Sequence, residues 1–189
     1  YSYDGIVWRG LGTTIFTTTG YCGCWNGKLW VAGGVSSGVG ILAYSYDGIN
    51  WTIATQSILS TIVWSIAWNG TVFVAVGQGS SSNTIAYSYD GINWQTPTTL
   101  PAGFTIGYSV AWGQNYFVVV GQGGTNNYAY STNGISWTGG VILSTSATFR
   151  SIICGQSLWV TVGTSGTIAQ GYWATNPTST WTSGTNFPT

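Results

Sequence analysis

The chain has 189 residues, with three basic and three acidic side chains, no His and zero formal net charge. A charged fraction of 3% and the lack of a basic stripe exclude nucleic acid as a partner, because phosphate binding needs Lys or Arg in numbers. Twelve Trp and twelve Tyr exclude a disordered chain. No apolar run approaches the ~20 residues of a membrane helix, so no membrane insertion is expected.

The chain opens on Tyr1-Ser2-Tyr3-Asp4-Gly5-Ile6-Val7-Trp8. Nearly the same octapeptide returns at residues 44–51 and 87–94, and a weaker copy, Tyr130-Ser131-Thr132-Asn133-Gly134-Ile135-Ser136-Trp137, follows. A decayed copy occupies residues 173–180, with Trp181 displaced by one position. Asp4, Asp47, Asp90, Asn133 and Asn176 are each 43 residues apart, a period that defines a repeat architecture. The repeats run over residues 1–43, 44–86, 87–129 and 130–172, with a partial one at 173–189, in a single domain.

Between the octapeptides each repeat follows one plan. The first hairpin turns fall at Asn26-Gly27, Asn69-Gly70, Gly113-Gln114 and Gly155-Gln156; Asn-Gly is a strong hairpin signal because both residues accept positive φ. Second strands are predicted at 29–33, 71–77, 116–121 and 158–163, rich in Val and aromatic residues. In the second repeat, 62–68 reads as the first strand, with Ile62, Trp64, Ile66 and Trp68 on one face by period-two alternation. There, 84–89 reads as a third strand, Asp90-Gly91 as a second tight hairpin turn, and 92–95 as the start of a fourth. Polar loops between second and third strands are predicted at 34–40, 78–83, 122–126 and 164–171. Four short antiparallel strands per repeat define an all-β propeller blade. The hairpin count gives four whole blades preceded by the outer half of another. Either the propeller continues beyond this chain or four blades close with an extra hairpin at the seam; continuation is expected, because the chain opens in mid-motif, and the chain then is a fragment of a larger ring.

The stretch Ser-Tyr-Asp-Gly-Ile-Asn-Trp resembles a shortened Asp-box, the BNR-like Ser-x-Asp-x-Gly-x-Thr-Trp motif of sialidase-type propellers. Asp and Gly are adjacent here, one residue fewer than in that motif. The resemblance extends over nearly the whole chain through its repeats. It implies that the motif joins the third and fourth strands of a blade, away from the ligand face. The repeats are also similar in general character to tachylectin-like propellers and to propeller repeats of viral and bacterial surface proteins. That implies an extracellular, cell-surface or virion-associated location.

The acidic residues read as structural. A short carboxylate at a turn accepts hydrogen bonds from nearby amides, and Asn133 keeps that acceptor while dropping the charge. Asp4, Asp47, Asp90 and Asn133 are thus expected to be turn residues, and the repeated Trp residues to pack between blades. Glycoside hydrolysis ordinarily needs two carboxylates, but the chain has no Glu and every Asp lies at a turn. A sialidase would also need an Arg cluster, and a triad would need His. No enzyme activity, catalytic residue, cofactor or metal site is expected. Cys22, Cys24 and Cys154 lack the further ligands a zinc site wants and read as small apolar fillers.

Function is sought where the repeats differ. The residue opening the first strand varies as Tyr21, Trp64, Tyr108 and Arg150. Beside it lie Gln78 and Gln122, at the start of the polar loops. Aromatic plates next to amides and hydroxyls suit sugars. These six residues are the candidate ligand site, on the face opposite the turns. The expected function is a non-catalytic glycan-binding or adhesion module. The alternative is a structural propeller packing against other proteins in a shell, fibre or larger surface protein. Partners would be a glycan or another surface protein, further copies, or the rest of a longer chain.

Overall fold

The computed structural model describes residues 1–55, 58–156, 158–172 and 181–183. The decayed octapeptide at 173–180, with Asn176, lies outside the described residues. Fifteen strands form four sheets among the described residues, and every pairing between named strands is antiparallel. The first sheet holds β1 (Thr19–Trp25), β2 (Trp30–Ser36), β3 (Val39–Ser45) and β4 (Thr52–Ile53) in chain order. The second holds β5 (Ile62–Trp68), β6 (Phe73–Gln78) and β7 (Ile85–Ser88). The third holds β8 (Phe104–Gly113), β9 (Tyr116–Gly123), β10 (Tyr128–Ser131) and β11 (Thr138–Gly140). The fourth holds β12 (Phe149–Cys154), β13 (Leu158–Gly163), β14 (Ile168–Tyr172) and β15 (Thr182–Ser183). Each first strand lies beside the next: β1 by β5, β5 by β8, β8 by β12. This is a propeller-like arrangement of four meandering sheets, with two short 3-10 turns and no α-helix among the described residues.

The second sheet departs from the four-stranded expectation. Its predicted fourth strand is reduced to one bridge, in which the Tyr87 and Gln95 amides each donate to the other's carbonyl at 3.0 and 2.8 Å. Pro97 follows two residues later and has no N–H to extend the ladder.

The core is divided among the seams between sheets. Leu29, Val31 and Leu42 of the first sheet pack on Val63, Ile66, Phe73 and Trp94 of the second. Val72, Val74 and Val76 face Val110, Phe117, Val119 and Trp137. Val118, Val120 and Tyr128 face Phe149, Ile152 and Trp159. Alternation on the second strands supplies both sides of a seam: in β6, Val74 and Val76 look forward while Phe73 and Ala75 look back. Trp94 and Trp137 are 2% and 5% exposed, and burying a ring of that size stabilises by roughly 4–6 kcal/mol as an upper bound. The equivalent Trp8, with no preceding sheet to pack on, is 72% exposed.

The first strands do not alternate simply. Each carries a bulge early in its length: between Gly20 and Cys22, Val63 and Ser65, Gly107 and Ser109, Phe149 and Ser151. The extra residue shifts the phase, so Val63 and Ile66 are buried in one seam while Trp64 is aimed elsewhere. The expectation that Ile62, Trp64, Ile66 and Trp68 share a face is corrected accordingly.

The octapeptides close loops longer than a two-residue hairpin. Tyr44 pairs with Thr52, so the loop is residues 45–51, and positive φ falls on Gly48 but not on Asp47. The Asn-Gly turns differ from expectation in the same way. Trp25 pairs with Trp30, only Gly27 has positive φ, and Asn26 Oδ1 accepts from the Lys28 and Leu29 amides at 2.9 and 2.7 Å. In both cases a side-chain oxygen replaces the first expected left-handed residue, and the Gly alone takes positive φ. In the third repeat the turn is Gln114-Asn115, both at positive φ, one residue later than predicted.

Candidate functional site

Sheet register separates two ends of the molecule. Ser45 lies opposite Trp30, next to the Asn26–Leu29 turn, so both kinds of side-chain-capped turn share one end. The first strand begins at the other end, where Thr19 pairs with Val35 and Ser36 with Val39. The predicted recognition loops at that end are shorter than expected in the first sheet. There β2 and β3 extend across most of 34–40 and meet at Ser37-Gly38, with φ of 48° and 80°. Burial of Val35, Ile41 and Leu42 keeps both strands in the sheet. In the fourth sheet β14 starts at Ile168, so only the early part of 164–171 is loop.

β8 has a further bulge at Thr105; Tyr21, Trp64, Tyr108 and Arg150 are the residues displaced at the four equivalent ones. Excluded from the ladder and re-aimed by it, they meet in one row across the four sheets. The Tyr21 and Trp64 ring centroids are 4.4 Å apart at 50°, and Trp64 and Tyr108 are 5.7 Å apart at 56°. The Arg150 guanidinium carbon stands 4.0 Å from the Tyr108 ring centroid, within cation–π range. Tyr21 ends the row 42% exposed; Trp64 and Tyr108 are half-buried and Arg150 is exposed. The inner rings spend faces on each other, which leaves ring edges, Tyr21 and the guanidinium open to a ligand.

Gln78 and Gln122 flank this row at matching positions, opposite Ile62 and Ile106. Gln122 is exposed, and its Oε1 accepts from the Tyr108 hydroxyl at 3.5 Å, a long bond. Gln78 is half-buried, and its backbone carbonyl accepts from Thr61 at 2.9 Å.

Residues following the bulge were not legible as functional. Ser65 Oγ accepts from the Val110 amide of the next sheet at 3.2 Å, and Ser109 Oγ from the Ile152 amide at 3.3 Å. These bonds tie neighbouring first strands and hold the row in register. The available signal was their recurrence directly after the column, as Cys22, Ser65, Ser109 and Ser151. Cys22 replaces the hydroxyl by a thiol that donates to the Gly33 carbonyl at 3.7 Å. Burial pushes its pKa up to about 12, and Cys24 and Cys154 are also raised by burial. All three are free.

The acidic residues sit at the opposite end, each enclosed by its own loop. Asp47 Oδ1 accepts from the Ile49 and Asn50 amides at 2.8 and 2.7 Å and from Ser45 Oγ at 2.9 Å. Ser45 Oγ in turn accepts from the Gly48 amide at 2.9 Å, and the Trp51 indole donates to the Gly48 carbonyl at 3.1 Å. The same bonds recur around Asp4, Asp90 and Asn133. For Asp4 and Asp47 the loop amides hold the carboxyl below its usual range. For Asp90 partial burial acts upward, but the Asn93 and Ile92 bonds outweigh it and bring the pKa to about 2.

No protein-family model and no curated protein matches this chain. Among solved structures it is similar to the computationally designed Ika4 protein, with a TM-score of 0.62 at 10% identity over 88% of this chain and 99% of that one. It is similar at the same TM-score of 0.62 to a GH74 enzyme of Niastella koreensis, at 18% identity over 85% of this chain. The matched part spans 29% of that enzyme's chain. These likenesses define the class: an all-β, propeller-like fold.

Proposed function

We propose that the chain is a non-catalytic carbohydrate-recognition or adhesion segment of an extracellular, cell-surface or virion-associated propeller. Its ligand meets the row Tyr21, Trp64, Tyr108 and Arg150, flanked by Gln78 and Gln122. The observation that carries the reading is the row itself. Two Tyr, one Trp and one Arg, one from each repeat, are brought together by four equivalent bulges and stay partly open to solvent. Sugars present C–H faces to aromatic rings and hydroxyls to amide and guanidinium groups. The Asp-box resemblance supports the reading in one respect: it puts the ligand face opposite the octapeptide loops. The acid inventory supports a non-catalytic role. The only carboxylates among the side chains are Asp4, Asp47 and Asp90, each engaged by its own loop on a separate repeat. Screening the purified chain on a glycan array tests the proposal; binding to no glycan contradicts it.

A structural propeller is the second reading, and the terminal sheets favour it. The forward face of the fourth sheet exposes Ile153 at 67% and Val162 at 41%. Their counterparts in earlier sheets, Ala111 and Val120, pack in a seam. The backward face of the first sheet exposes Trp25 and Trp30 at 42% and 41%, beside a hollow of about 470 Å³ lined by Trp8, Leu11, Trp30 and Trp51. Both faces suit a further sheet of the same repeat, supplied by a larger ring, another copy or another surface protein. Sedimentation of the isolated chain tests this: a strict monomer at high concentration argues against self-packing.

A further inference from the structure

Two positions of the octapeptide loop are dispensable for the turn. In the fourth copy Thr132 and Ser136 stand where the second and third copies have Tyr and Asn. There the Ser131, Asn133, Gly134 and Trp137 bonds are all still made, at 2.8–3.0 Å. In the first copy Val7 replaces the Asn, and the Asp4 bonds are again intact. Folding of the loop therefore demands neither the Tyr nor the Asn. Both are nevertheless present together in the first two sheets, and both are exposed. Tyr46 is 69% and Tyr89 55% exposed.

In the first sheet these side chains flank a cleft of about 260 Å³ lined by Tyr44, Ser45, Tyr46, Asp47, Asn50 and Thr52. The Tyr44 and Tyr46 rings stand at 84° with centroids 6.1 Å apart, forming two perpendicular walls. Asn50 Nδ2 donates to Asp47 Oδ2 at 2.7 Å, which fixes the exposed amide at the rim. The second sheet repeats the ring and amide geometry: Tyr87 and Tyr89 are 5.9 Å apart at 89°, and Asn93 Nδ2 donates to Asp90 Oδ2 at 2.8 Å, with Tyr87 itself buried and its hydroxyl donating to Gln95 Oε1 at 2.8 Å. A reduced version of about 160 Å³ lies between Tyr1, Tyr3, Asp4 and Val7, without the amide.

We propose that the Tyr46/Asn50 cleft and the matching Tyr89/Asn93 surface are two related subsites, each for one neutral pyranose unit of a polysaccharide. They lie at the end of the sheets opposite the Tyr21–Arg150 row, so the inference adds a second, repeated site to the proposed function. The exposed Tyr takes the C–H face of the ring, as aromatic surfaces do for apolar faces. The Asn amide donates to and accepts from hydroxyls, while the Asp carboxylate only accepts. An ionised Asp at the rim disfavours anionic sugars and selects neutral ones. Two like subsites on one rigid body let a repeating polymer engage both at once, so weak single sites add up to firm retention.

The test is an NMR titration of the 15N-labelled chain with methyl glycosides of glucose, galactose, mannose and N-acetylglucosamine. The expected result is saturable shifts of the Asn50 and Asn93 side-chain amides by one of these sugars, with Ser136 unmoved as the internal control. Tyr46→Ala should abolish the shift at Asn50 alone, and Tyr89→Ala that at Asn93 alone, with the remaining spectrum unchanged because both rings are exposed. Retention on a gel of the corresponding polysaccharide should fall at least about tenfold when either Tyr is removed. Absence of shifts at both Asn residues with every probe overturns the proposal, as do shifts that persist in the Ala variants. Shifts confined to Tyr21, Trp64 and Tyr108 overturn it while leaving the row as the binding site.

Discussion

Arg150 holds its guanidinium carbon 4.0 Å from the centre of the Tyr108 ring, and the two residues come from neighbouring sheets. Each occupies a bulge, so neither is held by the strand ladder. The contact joins the charged end of the row to its aromatic part. Replacing Arg150 by Gln should cost about 0.5–1 kcal/mol of stability, the range for an exposed cation–π pair. The same change in a Tyr108→Ala background should cost almost nothing. A double-mutant cycle by urea unfolding measures the difference; equal costs in both backgrounds would show that the pair is not coupled.

Asp90 and Gly91 are adjacent but should respond very differently. Asp90→Asn keeps the acceptor that Asn133 already provides in the fourth copy, and should cost less than about 1 kcal/mol. Gly91 has φ +73°, and a Cβ there would stand 2.7 Å from Leu29 Cδ2 and 2.8 Å from Val31 Cγ2. Gly91→Val combines a left-handed β-branched residue with a clash across the first seam, and should cost about 3 kcal/mol or more. Thermal unfolding of the two variants side by side checks the contrast.

Acid should destabilise the chain through these loops. The Asp90 pKa falls from 3.8 to about 2 on folding, and Asp4 and Asp47 are lowered as well. A depressed carboxyl stabilises the fold above its unfolded pKa and loses that contribution as pH falls through its folded pKa. Stability should therefore hold from neutral pH to about pH 4 and then fall toward pH 2. A triple Asp→Asn variant should lose most of this acid dependence, since the chain has no other acidic side chain. An unchanged slope in that variant would refute the assignment.

Ser65 supplies the acceptor for the Val110 amide across a seam. Ser65→Ala leaves that N–H without this partner and should cost about 1–2 kcal/mol. Ser151→Ala, at the equivalent but exposed position of the last sheet, should cost close to nothing. Hydrogen exchange at Val110 reads the first effect directly: faster exchange is expected in Ser65→Ala alone.

The repeat made the sheets legible. A 43-residue spacing of one octapeptide places third-strand ends without reference to any other residue, and Val- and aromatic-rich second strands fill the interval. The column of Tyr21, Trp64, Tyr108 and Arg150 was visible as the place where the copies diverge. Its geometry was not. Period-two reading puts Trp64 with Ile62 and Ile66, whereas a bulge of one residue reverses that phase, and a bulge leaves no mark in a single first strand. The octapeptide and Asn-Gly loops were read as too tight. The amide bonds to the Asp47 carboxylate are those expected of a turn residue, but positive φ falls on Gly48 and Gly27 alone, because the Asp47 and Asn26 oxygens gather the loop amides in place of the first left-handed residue. At Ser37-Gly38 the opposite happened: a stretch rich in Ser and Gly is mostly strand, because Val35 and Ile41 are buried on either side of it.

The central claim is recognition by the row of bulge residues. The most direct measurement is glycan binding by a Trp64→Ala, Tyr108→Ala double variant, with thermal unfolding recorded on the same sample. Both rings are half-buried rather than sealed, so the account predicts a folded protein whose binding is lost. It also predicts that binding by the unmodified chain depends weakly on salt, because Arg150 is the only charged member of the row. Undiminished binding by the folded double variant would contradict the account, and global unfolding would show the row to be a structural plug.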